Sequence, residues 1–221
     1  ITVALGTNPG GSTLSGTATK NASSGVATFN DLSLNKPGSG YTLTASAAGL
    51  IGATSSAFNI SAGAATALVF TTQPGNVVAG TNISGPPTVT VQDSLGNTVT
   101  SSTAAITVAI GTNPSGGTLS GTSTKNAASG VASFNDLSIN LAGNGYTLTA
   151  SATGLTGATS SAFDITASTG VSLAASPTSL AAGNPFTVTW AQISNPTPRD
   201  WIGLYTPGSS DSSYIAWRYV S

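Results

Sequence analysis

The chain has 221 residues, only 5% of them charged, and a formal net charge of −1. It has no Cys, Met, His or Glu, so zinc and copper sites built on His or Cys are excluded. A Ser-His-Asp triad is excluded with them. Proton transfer would fall to six Asp and a few Lys and Tyr residues scattered along the sequence. Nucleic acid and anionic membrane surfaces attract clustered Lys and Arg, and this chain has five such residues in all. No apolar run reaches the roughly 18 residues of a membrane-spanning helix, and no acidic loop of the calcium-binding kind occurs. These exclusions leave no expected cofactor and no expected enzyme.

Residues 1–62 recur at 106–167, 105 positions later, with 48 of the 62 positions identical. Ile1-Thr-Val-Ala-Leu-Gly-Thr-Asn-Pro9 returns as Ile106-Thr-Val-Ala-Ile-Gly-Thr-Asn-Pro114, Tyr41 as Tyr146 and Phe58 as Phe163. A period of this length has the size of a domain, not of a solenoid turn. Ile1–Leu5 then reads as the middle of a domain, and the chain reads as part of a longer protein. Residues 1–62 are expected to supply only the later strands of a first repeat. Such a half-sandwich would expose core and sheet edges.

Residues 63–167 make one whole repeat. Period-two alternation predicts strands at Ala67–Thr72, Thr88–Asp93, Ala105–Ile110, Thr118–Thr122, Val131–Leu137, Tyr146–Ala152 and Ala162–Thr166. Gly, Pro, Asn and Asp clusters separate them, as in Asp93-Ser-Leu-Gly-Asn97 and Ala142-Gly-Asn-Gly145. Val89 and Val91 share one strand face, and Thr88 and Thr90 suit a solvated opposite face. Seven short strands and no helical period predict an all-β chain of antiparallel sandwiches. The expected core is Leu68, Phe70, Val89, Val91, Ile106, Val108, Leu119, Val131, Phe134, Leu137, Tyr146, Leu148, Phe163 and Ile165.

Residues 168–221 leave the repeat. Val171–Pro177 and Pro185–Trp190 read as the opening strands of a different sandwich, followed by Asp200-Trp-Ile-Gly-Leu-Tyr205 and Tyr214-Ile-Ala-Trp-Arg-Tyr219. All three Trp and both Arg fall in this stretch. Trp201, Tyr205, Trp217 and Tyr219 are the candidate contact residues, as a stacking platform for sugar rings or a protein partner. Alternating Trp and Tyr also fill sandwich cores, and that role is the more ordinary one.

Leu68-Val-Phe-Thr-Thr-Gln-Pro74, Val89-Thr-Val-Gln-Asp-Ser-Leu-Gly-Asn97, Gly130-Val-Ala-Ser-Phe134 and Gly145-Tyr-Thr-Leu-Thr-Ala150, in that order, resemble a bacterial immunoglobulin-like repeat of the invasin/intimin type. The resemblance covers residues 1–167. It implies tandem immunoglobulin-like sandwiches in a secreted or surface-anchored bacterial protein. The Asp200–Tyr205 motif is similar to β-sandwich modules of the SKICH-like kind. Some bacterial surface domains of the immunoglobulin-like type carry a lysine crosslinked to Asn or Asp. Lys20 and Lys125, each with an Asp eleven residues on, stand where such a bond would be sought, and that chemistry needs a buried acid beside the lysine.

Three roles follow. The first is an extracellular structural stalk or spacer. The second is an adhesin that binds glycan or a cell-surface protein through residues 201–219. The third is a filament subunit completed by strand exchange between copies. The expected partners are neighbouring repeats or copies of the chain itself, with no nucleic acid and no membrane insertion.

Overall fold

In the computed structural model, residues 1–168 are described throughout, and within 169–221 the backbones of four strands. The chain divides into two compact units, Ile1–Ala167 and Ser168–Ser221. Every regular element among the described residues is a β-strand, as Thr- and Val-rich alternation bounded by turn residues dictates.

Residues 1–62 hold β1 (Thr2–Leu5), β2 (Leu14–Ser15), β3 (Ser33–Leu34), β4 (Gly38–Tyr41), β5 (Leu43–Ser46), β6 (Ala53–Thr54) and β7 (Phe58–Ile60). They form three antiparallel sheets, β1-β5-β6, β2-β3 and β4-β7. Residues 63–167 begin with β8 (Ala67–Thr72), β9 (Val77–Val78) and β10 (Thr88–Gln92). Next come β11 (Ala105–Ile110), β12 (Leu119–Ser120), β13 (Thr124–Asn126) and β14 (Val131–Ser133). The stretch closes with β15 (Ser138–Ile139), β16 (Gly143–Tyr146), β17 (Leu148–Ser151), β18 (Ala158–Thr159) and β19 (Phe163–Thr166). The sheets are β14-β10-β8, β13-β11-β17-β18, β12-β15 and β16-β19-β9, where β19 and β9 run parallel.

The sequence repeat is a structural repeat down to register. Thr2 faces Ser46 as Thr107 faces Ser151, and Leu14 faces Leu34 as Leu119 faces Ile139. In each repeat the phenol hydroxyl donates to a carbonyl five residues back, Tyr41 to Lys36 at 2.9 Å and Tyr146 to Leu141 at 3.0 Å. The repeats differ where pairing reaches into residues 63–105. Strand β14 exists because it pairs with β10, and residues 26–28, its sequence counterpart, form no strand.

The core of residues 63–167 draws on both groups of sheets: Leu68, Phe70, Val89 and Val91 from one, Ile106, Val108, Leu148 and Ile165 from the others. Twelve of the fourteen expected core residues are buried. Leu119, on the two-stranded β12-β15 ribbon, and Val131, at a hairpin end, are only half-buried. Ile83 and Val99 join the core from loops, where alternation gives no signal. Thr90 is buried instead of solvated, since β10 is the central strand and the Thr71 and Thr90 hydroxyls lie 2.9 Å apart.

The run expected as one strand, Tyr146–Ala152, is divided between sheets. Tyr146 pairs with Phe163, while Leu148 pairs with Ile110, and between them Thr147 N donates to Thr112 O. Four two- or three-residue strands, β9, β13, β15 and β18, are too short to show a period.

Burial separates identical residues. Leu137 is fully buried, whereas Leu32, its counterpart, is only half-buried. Leu137→Ala is expected to cost about 2–5 kcal/mol and leave a cavity. Leu32→Ala should cost less, about 1–2 kcal/mol, because less of its surface is withdrawn from water. Urea denaturation of the two variants checks the difference.

Candidate functional site

Ionisable groups are so sparse that each one shows what it is used for. Asp93 follows β10 and opens a turn in which Gly96 takes φ +76° and Asp93 N donates to Asn97 O. One carboxylate oxygen, Oδ1, accepts from the N–H groups of Leu95 and Asn97, both at 2.9 Å. The other, Oδ2, accepts from Asn97 Nδ2 at 3.1 Å and from Gly63 N at 2.9 Å. Gly63 lies thirty residues earlier, in the linker between the repeats. The same Asn97 amide nitrogen donates to Asn35 O, in a loop of the first repeat, at 3.1 Å.

One Asp–Asn pair therefore ties its own turn, the linker and the preceding repeat together. Asp93 and Asn97 are both buried. The Asn97 N–H is the main cause holding the Asp93 pKa down, to about 2, with burial opposing it and Gly63, the Asn97 amide and Leu95 adding to it. The linker is fixed further on, where Thr66 N donates to Gln92 O and Thr156 N to Thr66 O. The Asn35 loop is itself anchored, its side-chain oxygen accepting from Ser12 Oγ and Thr13 N.

A second constellation occurs once per repeat. Lys125 Nζ donates to Asn135 Oδ1 at 2.9 Å and Ser133 O at 3.1 Å, lies 3.6 Å from Asp136 Oδ1 and sits over the Phe134 ring. Asp136 Oδ2 accepts from the Thr122 hydroxyl and N–H, which lower its pKa, the hydroxyl being the larger cause. Lys20, Asp31, Thr17 and Phe29 repeat this around the equivalent loop. Both carboxylate side chains are more than 40% exposed, so the buried acid that a lysine crosslink needs is missing from each cluster. These are surface ion pairs that brace a loop.

Among the described residues no three acidic, His or Cys side chains gather as a metal site. No described helix is long and apolar enough to cross a membrane. The predicted contact residues fall on a hairpin of β22 (Trp201–Tyr205) and β23 (Tyr214–Tyr219), preceded by β20 (Ser172–Ser176) paired with β21 (Thr187–Ala191). Register sets Trp201 opposite Tyr219, Gly203 opposite Trp217 and, past an irregularity, Tyr205 opposite Tyr214. The side chains of Trp201, Tyr205, Trp217 and Tyr219 lie outside the described residues.

Sequence reasoning marks Asp93–Asn97 as a turn but misses it as a joint. The Asp and Gly spacing is a visible signal of the turn. The Gly63 and Asn35 contacts come from residues far off in sequence and leave no local trace.

No family model matches this chain, and no curated protein does. A solved structure that it resembles is a β-glycosidase from Bacteroides vulgatus, with a TM-score of 0.37 and 17% sequence identity over 63% of this chain. The chain spans 19% of that protein's length. A likeness this small carries no argument about fold or activity.

The joint is expected to weaken in acid. The Asp93 carboxyl is held below its unfolded value of about 4, so its contribution is complete above that pH and is lost as pH falls toward 2. Asp31 and Asp136 are shifted in the same direction. Asp93→Asn should therefore lower the melting temperature at pH 6 and reduce, without abolishing, its fall between pH 5 and 2, as followed by calorimetry.

Proposed function

We propose that this chain is a non-catalytic structural segment, a stalk or spacer of an extracellular bacterial surface protein, built from immunoglobulin-like sandwich repeats. The observation that carries this reading is the joint. A buried carboxylate accepts four hydrogen bonds where one repeat meets the next, and its Asn partner reaches across to the earlier repeat. A protein that only had to carry two independent domains would have no use for so constrained a linker. A spacer that sets the direction of successive domains does.

Three further features support it. The composition is nearly bare of acid–base groups, and the described residues hold no cluster that would concentrate them. The tyrosine hydroxyl bond of each repeat matches the corner seen in sandwich domains of the immunoglobulin type. Uncharged Thr, Ser and Asn along the strands give a surface suited to packing against neighbours rather than to steering a charged ligand.

A filament subunit is the second reading, favoured by the incompletely covered sheets of residues 1–62. An adhesin acting through residues 201–219 is a third, resting on the aromatic sequence alone.

The joint tests the spacer reading. The chain has no Cys, so Leu50→Cys and Leu141→Cys, both at exposed positions, give clean sites for paired spin labels. A narrow distance distribution is expected, broadening when Asp93→Ala is added while circular dichroism stays the same. A distribution already broad before Asp93 is changed would remove the basis for a rigid spacer.

A further inference from the structure

We infer that the sheet face of residues 1–62 is an acceptor for a two-stranded chain segment with the sequence pattern of residues 63–105. The molecule supplies its own control, because nearly the same sequence occurs twice, once covered and once not. Ile106, Leu137, Ile139, Leu148 and Phe134 are all buried to 1% exposure or less, while their counterparts Ile1, Leu32, Leu34, Leu43 and Phe29 are only half-buried. Val26 is 65% exposed, whereas its counterpart Val131 is half-buried. Strands β1 to β7 have register-matched counterparts in β11, β12 and β15 to β19, while β13 and β14 have none in residues 1–62. What differs is the presence of the segment that lies over them.

In the complete repeat that segment contributes both an apolar face and backbone hydrogen bonds. Leu68, Phe70, Val89 and Val91 enter the shared core from β8 and β10. Ile83 N donates to Leu137 O, Gly80 N to Ile139 O and Leu68 N to Thr156 O, while Phe134 N donates to Pro87 O. At positions 29, 32, 34 and 51 the residues that would supply these bonds have no counterpart within 1–62.

The glycines agree. A methyl group added at Gly130 would stand 2.4 Å from the Val99 carbonyl oxygen, whereas one added at Gly25, its counterpart, would meet nothing within 4 Å. By contrast Gly121 and Gly16, which face their own repeat, meet the Asp136 and Asp31 carbonyls at 2.2 and 2.3 Å. The internal contacts of the first repeat are in place, and the contacts missing are those that residues 63–105 make. Apolar area, unmatched backbone groups and vacant space thus coincide on one face, and the second repeat shows the chemistry of what fits there. The occupant is a pair of antiparallel strands with alternating Leu/Phe and Val residues and little charge. The inference rests on the repeat reading given above and not on the mechanical role.

Residue 105 runs directly into residue 106, the counterpart of Ile1. A second copy of residues 63–105 fused ahead of Ile1 in the full chain therefore rebuilds the connectivity of the complete repeat. In this fusion the amides of Phe29, Leu32 and Leu34 should exchange with deuterium at least about tenfold more slowly than in the parent chain. The fluorescence of a hydrophobic dye should fall as well. The same fusion carrying Val89→Asp and Val91→Asp in its added copy should give neither change.

Unchanged exchange at those amides in a folded fusion would overturn the inference. A parent chain that sediments as a monomer with these amides already protected would overturn it too, since the face would then be covered within the chain itself. Either result would leave the spin-label test of the joint untouched, so failure here is distinguishable from failure of the spacer reading.

Discussion

Everything in this unit depends on covering the apolar side of one set of sheets. Leu137 and Leu148 owe their burial to β8 and β10, which cross over them and contribute Phe70, Val89 and Val91 in return. Where that cover is lacking, the same sequence keeps most of its strands, their register and its tyrosine hydroxyl bond but leaves its leucines only half-buried. Local pairing and turn chemistry are enough to shape the strands. Burial of a common core, the larger source of stability, needs both layers.

The division between what was readable from sequence and what was not follows the same physics. Strands β8 and β11 begin and end where alternation places them, because one face is buried and the period is clear. Tyr146–Ala152 alternates just as cleanly but changes sheets at Thr147, and alternation does not record which neighbour a strand pairs with. Ile83 and Val99 are buried from loops and carry no periodic signature. At the joint, the Asp93 turn is legible from its Gly and Asn, whereas its bond to Gly63 depends on how the chain returns after thirty residues. In the aromatic tail the sequence shows the strand at 201–205, the pairing with 214–219 comes from the structure, and the chemistry of the tail is still an expectation.

The Lys–Asp clusters and the joint separate two uses of charge in a chain that has little of it. Lys20–Asp31 and Lys125–Asp136 are part-exposed, brace a loop through their Thr partners and recur in both repeats whether or not the core is covered. Asp93 is buried and engaged on both oxygens, and it stands in residues 63–105, outside the stretch that the two repeats share. Charge in water fixes local shape, and charge withdrawn from water fixes how one repeat follows another.

The near-identity of residues 1–62 and 106–167 also bears on how the chain folds. Residues 63–105 follow one acceptor face and precede another of nearly the same sequence. During synthesis the earlier face emerges first, so the β8–β10 segment meets it before the later one has been made. Pairing with the earlier face would join the same pieces in permuted order, with residues 61–66 as the connection. Reaching the observed arrangement then means either that the short linker forbids that pairing or that the segment lets go and transfers. Residues 61–66, drawn tight by Gly63 and Thr66, would in that case guide the order of assembly as well as the angle between finished repeats.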